Sequence, residues 1–134
     1  MISSRIFVDS DYEIISPWYT AHGWPTAPQL AMLPMGTGII VEDGNGPLAA
    51  GFLYITNSPI GIFEWLVTKP GIGMQIKRIF MQLFAALEAM TKEHGVVKVM
   101  HMTDPKFSQF LQKFTGFEYS ETVELLFLHM DRGV

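Results

Sequence analysis

The longest regular pattern of hydrophobic and polar positions lies between residues 76 and 90. Apolar residues recur there at steps of three and four, which places them on one face of an α-helix. His94-Gly95 follows as a stop signal, because glycine readily takes the left-handed conformation found at helix C-termini. The pattern therefore predicts one long amphipathic helix with a buried face. That face comprises Ile76, Ile79, Phe80, Leu83, Phe84, Leu87 and Met90.

Three apolar stretches before this helix predict strands of an antiparallel meander. They cover residues 38–42, 47–56 and 60–67, and we expect the third to bury Ile60, Ile62 and residues 65–67. The motif DGNG at residues 43–46 is typical of a hairpin turn, because Gly and Asn tolerate positive φ. Turn residues at 57–59 separate the second strand from the third.

The rest of the chain adds shorter elements to this centre. A first strand is expected near residues 4–8, followed by a helix capped by Asp9 or Ser10. A strand at residues 96–101, a helix beginning with Pro105 and a last strand at 121–130 follow the long helix. Apolar helix faces must be buried, so the order predicts an α/β (α+β) fold. Its centre is a mixed, mostly antiparallel β-sheet flanked by helices on both faces.

Composition sets the class of protein. A length of 134 residues favours one domain spanning residues 1–134, and 49% hydrophobic residues indicate a globular chain. The net charge of −4 argues against a nucleic-acid partner. The chain contains no cysteine, no signal-peptide pattern and no apolar run of membrane-spanning length. These features predict a cytoplasmic protein without a membrane partner, and the apolar content favours a homodimer.

Residues 60–95 carry the strongest functional signal. A strand, the turn TKPGIG and the start of the long helix follow one another directly. The first turn of a helix leaves backbone N–H groups without partners, and these groups attract anions. The segment therefore indicates a site for a cofactor with phosphates, although a plain strand-to-helix turn has the same composition.

The order of elements and several motifs resemble the GCN5-related N-acetyltransferase superfamily, over residues 2–130. The likeness rests on the DGNGPLAAGFLYIT hairpin, the IFEWLVTKP strand, the amphipathic helix and the FLQKFTGFE segment with Gly116-Phe117. Within the superfamily the chain looks most similar to small acetyltransferase-like proteins of phages and prophages.

The resemblance implies acetyl-CoA as cosubstrate, no metal, and an amine of a small molecule or protein as acceptor. The strand near residues 64–67 would diverge from the strand at 96–101, and the pantetheine arm would enter the gap beside Leu66 and Val67. The pyrophosphate would bind at the turn and helix start. Its expected contacts are Gly71, Ile72, Gly73, Met74, Gln75, Ile76, Lys77 and Arg78.

The chain departs from the family pattern at two places. The usual pyrophosphate loop begins with Arg or Gln, whereas this loop begins with Thr68 and keeps only Gly71 and Gly73. The family often has a Tyr acid four residues before the glycine of the Gly-Phe landmark, and this chain has Gln112 there. Tyr119 would replace it only if the fold brought it to the site.

Glu64 is the main candidate for the catalytic base. It is the one acidic residue in the apolar strand IGIFEWLV, so it faces either a cleft or solvent. Burial in a cleft would raise its pKa towards the range of a general base. Glu42 and Glu13 are weaker candidates. His101 is a second catalytic candidate, because it ends the strand near the expected position of the cofactor thiol.

The histidines and aromatic residues add a predicted acceptor side. No two of His22, His94, His101 and His129 have the spacing of metal ligands on a helix, so a metal site is not expected. His22 and Trp24 lie in the loop that shapes the acceptor site in the superfamily. With Trp18 and Tyr19 they would either hold an amine by cation–π contact or form a lid packed on the sheet.

Two other functions stay open from the sequence. The altered loop and the missing Tyr suit a non-catalytic acyl-CoA-binding or protein-interaction domain that keeps the fold. A structural domain without cofactor is the third reading, and it would require full pairing between the two strands that otherwise diverge.

Overall fold

The computed structural model describes residues 1–103 and 105–114. Residues 1–103 form one compact unit, and α3 belongs to a second unit that comprises residues 104–134. The strands are β1 (Ser3–Ile6), β2 (Gly38–Asp43), β3 (Gly46–Ile55), β4 (Ile60–Thr68) and β5 (Lys98–Met100). The helices are α1 (Tyr12–Ala21), α2 (Ile76–Glu93) and α3 (Pro105–Phe114), with short 3-10 helices at Asp9–Asp11, Leu30–Met32 and Gly73–Gln75.

The five strands form one sheet in the order β1-β2-β3-β4-β5. The first four strands pair antiparallel, and β5 pairs with β4 in parallel. The parallel pair needs a crossover connection, which α2 supplies. The mixed, mostly antiparallel sheet predicted from the sequence is thereby confirmed.

Helices α1 and α2 cover opposite faces of the sheet. Ile40 and Phe52 pack in one cluster with Tyr19 of α1. Their neighbours along the strands point to the other face, because side chains alternate along a strand. On that face Phe63 contacts Phe84 of α2, with ring centroids 6.0 Å apart. The apolar side of each of these two helices is therefore buried against its own face of the sheet.

The predicted face of the long helix agrees well with the structure. Five of its seven residues are buried and the other two, Ile76 and Phe84, are half-buried. Gly95 follows the helix in the left-handed conformation, with φ of 68°. The buried residues are Ile79, Phe80, Leu83, Leu87 and Met90.

The predicted burial of β4 is wrong at the start of the strand and correct at Val67. Ile60 is 38% exposed and Ile62 is half-buried, whereas Phe63, on the face that α2 covers, is fully buried and Val67 is 4% exposed. An alternating strand carries two possible apolar faces here, and the layer of α2 selects the one that contains Phe63. The short strand β5 also begins later than predicted, at Lys98 instead of residue 96.

Several predicted features fall outside the described residues. They are the last strand at 121–130, the Gly116-Phe117 landmark, Tyr119 and His129. The prediction of a single domain over residues 1–134 stays a prediction.

Candidate active site

Strands β4 and β5 separate after three paired residues. Their ladder ends at the pair Ile62 and Met100. Beyond Ile62, this edge of β4 has no partner strand in the part of the chain that the structure describes. Full pairing of the two strands, which a domain without a cofactor would require, is therefore not seen there.

A β-bulge interrupts β4 at the point where the strands separate. Glu64 pairs with Phe52 and Val67 pairs with Ala50, so two residues of β4 oppose Gly51. Trp65 takes a φ of 59°, and it is the sole non-glycine residue with positive φ within the described ranges. A bulge adds one residue to one strand and redirects the side chains around it. Glu64 and Trp65 consequently both lie towards the face that α1 covers.

Two tyrosines hold the bulged residue. The hydroxyl of Tyr19 on α1 donates to the carbonyl oxygen of Trp65 over 2.5 Å. The indole Nε1–H of Trp65 donates to the hydroxyl of Tyr54, 2.9 Å away. The Tyr54 hydroxyl in turn donates to the carbonyl of Met32 over 2.9 Å. Both ends of the strained residue are thereby fixed.

Glu64 is the titratable group at the bulge. Its side chain is 19% exposed, and its Oε1 accepts the backbone N–H of Met102 over 3.1 Å. Burial raises the pKa of Glu64 to about 7, and the Met102 N–H opposes this shift only in part. Burial disfavours the charged carboxylate because the group loses hydration. A carboxyl group with a pKa near 7 can accept a proton at neutral pH.

His101 lies beside Glu64. Its Nδ1–H donates to the carbonyl oxygen of Phe63 over 2.6 Å, and the same nitrogen is 3.8 Å from Oε2 of Glu64. Burial lowers the pKa of His101, because the charged ring loses hydration, and this favours the neutral ring. The structure thus brings together the two residues predicted as catalytic, in direct neighbourhood at the strand gap.

The predicted cofactor-binding residues lie at the end of β4 and in the segment that follows it. Leu66 sits in the bulge and Val67 in the strand beyond it. Gly71 and Gly73 have φ of 80° and 58°, and both are open to solvent where a Cβ would point. The backbone N–H groups from Gly71 to Met74 find no acceptor in the described part of the chain. A row of such N–H groups before a helix suits an anion.

The start of α2 carries positive charge. No side chain caps its N-terminus at Gln75, and its first turn contains no acidic residue. Lys77 and Arg78 are exposed in this turn. The helix dipole is positive at this end, so two cations there favour a bound anion. Ile72, Met74 and Ile76 complete the predicted set of this loop.

The two residues predicted to contact the acceptor have different surroundings. His22 places its Nε2 2.8 Å from the carbonyl oxygen of Thr68, at the end of β4. Trp24 packs on Trp65 with ring centroids 5.5 Å apart and stays 39% exposed. Trp24 therefore reaches the bulge, whereas His22 connects the end of α1 to the end of β4.

The weaker candidates for a base lie elsewhere. Glu42 accepts a hydrogen bond from Nε of Arg5 over 3.0 Å, on β2. Glu13 is exposed on α1. Neither residue has a contact with Glu64 or His101 among the hydrogen bonds and ion pairs of the described residues.

The sequence reasoning missed Trp65 and Tyr54 as site residues. Both have ordinary positions in apolar strands, and no local pattern announces a bulge at a tryptophan. The nearest signal in the sequence is the number of Trp and Tyr residues, because a buried indole N–H or phenol O–H needs a hydrogen-bond partner.

Two absences hold for the described residues. No group of three His, Asp or Glu side chains there is placed to hold a metal ion. No helix among them has both the length and the apolar character needed to cross a membrane.

Comparison with solved structures gives a consistent set of neighbours. The acetyltransferase AAC(6')-Iy, in complex with the bisubstrate analog CoA-S-monomethyl-acetylneamine, is 18% identical with a TM-score of 0.71, over 97% of this chain and 99% of that one. Glucosamine-6-phosphate N-acetyltransferase from Arabidopsis thaliana is 14% identical with a TM-score of 0.65, over 96% and 99%. The aminoglycoside acetyltransferase meta-AAC0020 from a soil metagenomic sample, in complex with sisomicin, is 13% identical with a TM-score of 0.70, over 98% and 96%.

These likenesses cover almost the whole of each chain at low identity, so they define the fold. The chain has the fold of the GCN5-related N-acetyltransferases, as the resemblance in sequence implied. No protein-family model matches the sequence, and a search of curated protein sequences found no match.

Proposed function

We propose that this protein is an acetyl-CoA-dependent N-acetyltransferase that transfers an acetyl group to an amine of a small molecule or a protein. The observation that carries the proposal is Glu64, a mostly buried carboxyl group with a pKa of about 7 at the point where β4 and β5 separate. A base at this pKa suits proton removal from an amine at neutral pH.

The proposed reaction is direct transfer. The lone pair of the amine attacks the thioester carbonyl, a C–N bond forms and the C–S bond breaks. Glu64 takes the proton lost by the amine, directly or through a water. The thiolate of CoA leaves and takes a proton from solvent, because Gln112 at the position of the family's Tyr has no acidic proton to give.

The proposed cofactor contacts use backbone groups. Leu66 and Val67 would pair with the amides of the pantetheine arm along the open edge of β4. The N–H groups from Gly71 to Ile76 would bind the pyrophosphate, with Lys77 and Arg78 adding charge. These roles are supported by the unpaired N–H groups and the two open glycines.

The remaining residues have proposed roles on the other side of the gap. His101 would orient Glu64 and assist proton transfer, while Trp24 and His22 would line the acceptor side. A cytoplasmic location, a homodimer, the lack of a nucleic-acid partner and kinship with phage proteins remain predictions from the sequence.

A non-catalytic acyl-CoA-binding or protein-interaction domain is the second candidate function. Two observations favour it: the phosphate loop lacks the leading Arg or Gln, and Gln112 replaces the acidic Tyr. Such a domain would keep the fold and the cofactor site without turnover.

The first test is calorimetric titration of the purified chain with acetyl-CoA, with CoA as the control ligand. We expect binding in the micromolar range. A screen of amines then follows, with wild type, Glu64→Gln and Glu13→Gln compared in parallel. Glu13→Gln is the matched control because Glu13 is exposed on α1, away from the gap.

The possible outcomes distinguish the two proposed functions. Loss of turnover by about 100-fold or more in Glu64→Gln alone, with acetyl-CoA binding intact, supports the enzyme and its base. Binding without turnover of any amine supports the non-catalytic domain. Absence of binding at millimolar acetyl-CoA contradicts the enzyme and the acyl-CoA-binding domain, and it leaves the protein-interaction domain.

A further inference from the structure

Three exposed apolar residues, Trp24, Met32 and Met102, adjoin Glu64, Trp65 or the hydroxyl of Tyr54. Trp24 is 39% exposed while its ring packs on Trp65. Met102 is 45% exposed, and its N–H is the one that Glu64 accepts. Met32 is 54% exposed, and its carbonyl accepts the hydroxyl of Tyr54. Exposed apolar groups clustered at one polar site are typical of a ligand-binding surface.

The aromatic part of this surface is rigid. Tyr19 contacts Trp24 and Trp65 edge-on, with centroids 5.4 Å and 6.2 Å away. The hydrogen bond from Trp65 to Tyr54 fixes the second indole. Rings held in this way offer a fixed wall, so a ligand that packs on them loses little of the protein's conformational entropy.

The charge at this surface is a single carboxyl group. The pKa of Glu64 responds to burial and to the Met102 N–H, and no second carboxylate of the described residues bears on it. Asp11 and Glu42 are both bound to Arg5, at 2.8 Å and 3.0 Å, and Glu88 is paired with Lys92. One carboxylate complements one ammonium group. A polycation would place further ammonium groups beside Trp24 and Trp65, where no second carboxylate of the described residues offsets their lost hydration.

We propose that the acceptor is a primary monoamine with an aromatic or alkyl body, an arylalkylamine being the simplest case. Its ammonium group meets Glu64, and its apolar body packs on Trp24 and Trp65. This proposal rests on the proposed acetyl transfer, and it differs from the substrates named for the neighbours, which include an aminoglycoside and a sugar phosphate. Glu64 takes one proton from the ammonium group, the free amine then attacks the thioester carbonyl as the C–S bond breaks, and the second nitrogen proton passes through solvent to the CoA thiolate.

The test measures acetylation of 2-phenylethylamine, sisomicin and glucosamine 6-phosphate by the full chain with acetyl-CoA. Product is identified by mass spectrometry and CoA release gives the rate. We expect kcat/KM for 2-phenylethylamine to exceed both other values by about 100-fold, the range that a missing apolar contact commonly produces. Equal or faster acetylation of sisomicin or the sugar phosphate overturns the proposal.

Calorimetry with acetyl-CoA runs beside this assay, so the two proposals can fail separately. If acetyl-CoA binds but 2-phenylethylamine is not acetylated, the acceptor class is wrong and the cofactor site stands. If acetyl-CoA does not bind, the proposed function fails and the acceptor class fails with it.

A variant pair then tests the wall itself. Trp24→Ala is compared with Leu30→Ala, because Leu30 is 37% exposed in the same connecting segment and lines a surface hollow with Phe7 and Pro34. We expect Trp24→Ala to raise KM for 2-phenylethylamine about tenfold with KM for acetyl-CoA unchanged, and Trp24→Phe to restore most of the loss. An equal effect of Leu30→Ala overturns the assignment of the wall.

Discussion

The hydroxyl of Tyr19 donates to the carbonyl oxygen of Trp65 over 2.5 Å, and this bond links α1 to the one strained residue of β4. Tyr19 is fully buried, and burial raises the pKa of its hydroxyl, which therefore stays protonated and remains a donor. A tryptophan with φ of 59° costs about 1–3 kcal/mol, so it persists only where the surroundings hold it. Tyr19 is such a holding group, although it has no place in the proposed chemistry.

Removal of this hydroxyl should loosen the bulge. We expect Tyr19→Phe to weaken acetyl-CoA binding about tenfold, because the backbone of Leu66 and Val67 loses its fixed direction. Calorimetry measures this. Tyr12→Phe is the matched control, since Tyr12 lies on the same helix and its hydroxyl donates to the carbonyl of Pro28 over 2.7 Å. Equal binding by the two variants would show that Tyr19 serves stability alone.

The pH dependence of the rate should follow Glu64. A general base acts in its deprotonated form, and the pKa of Glu64 is about 7. We therefore expect kcat/KM for the acceptor to rise with pH and to level off above about pH 7. The Glu64→Gln variant should be much slower, and its pH profile should lack this rise. A rise of the same size in the variant would assign the titration to another group.

The same carboxyl group should make stability depend on pH. Its pKa is higher in the folded state than the ordinary value of 4.5, so the folded state binds more protons between pH 4.5 and about 7. The contribution of Glu64 is complete below pH 4.5 and is lost as pH rises to about 7. We expect Glu64→Gln to be more stable than wild type at pH 8, by about 1–3 kcal/mol.

Urea unfolding of both proteins at pH 4.5 and pH 8 checks this. The two free energies of unfolding should converge at the lower pH. His101 has the opposite dependence, because burial lowers its pKa, but it is present in both proteins and largely cancels in the difference. A constant difference between the proteins at the two pH values would contradict the burial of Glu64.

Gly71 should matter for the cofactor more than for the fold. Its φ is 80°, and Gly36 has an almost identical φ of 79°; both have open space at the position of a Cβ. Gly71→Ala and Gly36→Ala should therefore carry a similar backbone strain of about 1 kcal/mol. Only Gly71→Ala should weaken acetyl-CoA binding, by about tenfold or more, because its methyl group covers the N–H groups of the loop. Calorimetry and thermal unfolding of both variants separate the two effects.

Gly51 should be required for packing opposite the bulge. A Cβ at this position would overlap the Phe63 ring, coming within 2.9 Å of Cε1. Phe63 is fully buried and cannot move aside, so we expect Gly51→Ala to lower the free energy of unfolding by about 1–3 kcal/mol. Gly44→Ala in the open hairpin turn is the control and should change little. Denaturant unfolding compares them, and an unchanged Gly51→Ala would mean that the ring has another position.

Features with a local physical cause could be predicted from the sequence. The hairpin turn at residues 43–46 follows from Gly and Asn, and the buried face of α2 follows from apolar residues at helical spacing. Glu64 stood out because a single charge in an apolar strand needs a reason. The prediction of an anion site at residues 71–76 came from the order of strand, turn and helix, and it stays a prediction.

The inward face of β4 and the bulge at Trp65 could not be predicted in this way. Alternation along residues 60–63 allows either apolar face to be buried, and the packing of α2 decides between them. The conformation of Trp65 depends on the register with β3 and on the hydroxyl of Tyr19, a residue 46 positions earlier in the chain. The aromatic wall has the same origin, since Trp24, Tyr54 and Trp65 come from three separate segments.

The sequence alone thus determined the elements, the layered sheet and the residue types available for chemistry, because burial of one face per element is a local property of the chain. The tertiary structure decided where β4 and β5 separate, which way Glu64 points and what surrounds it. Those features depend on strand register and on contacts between segments that are distant in the chain. Such contacts form only when the whole sheet and its two helices are folded together.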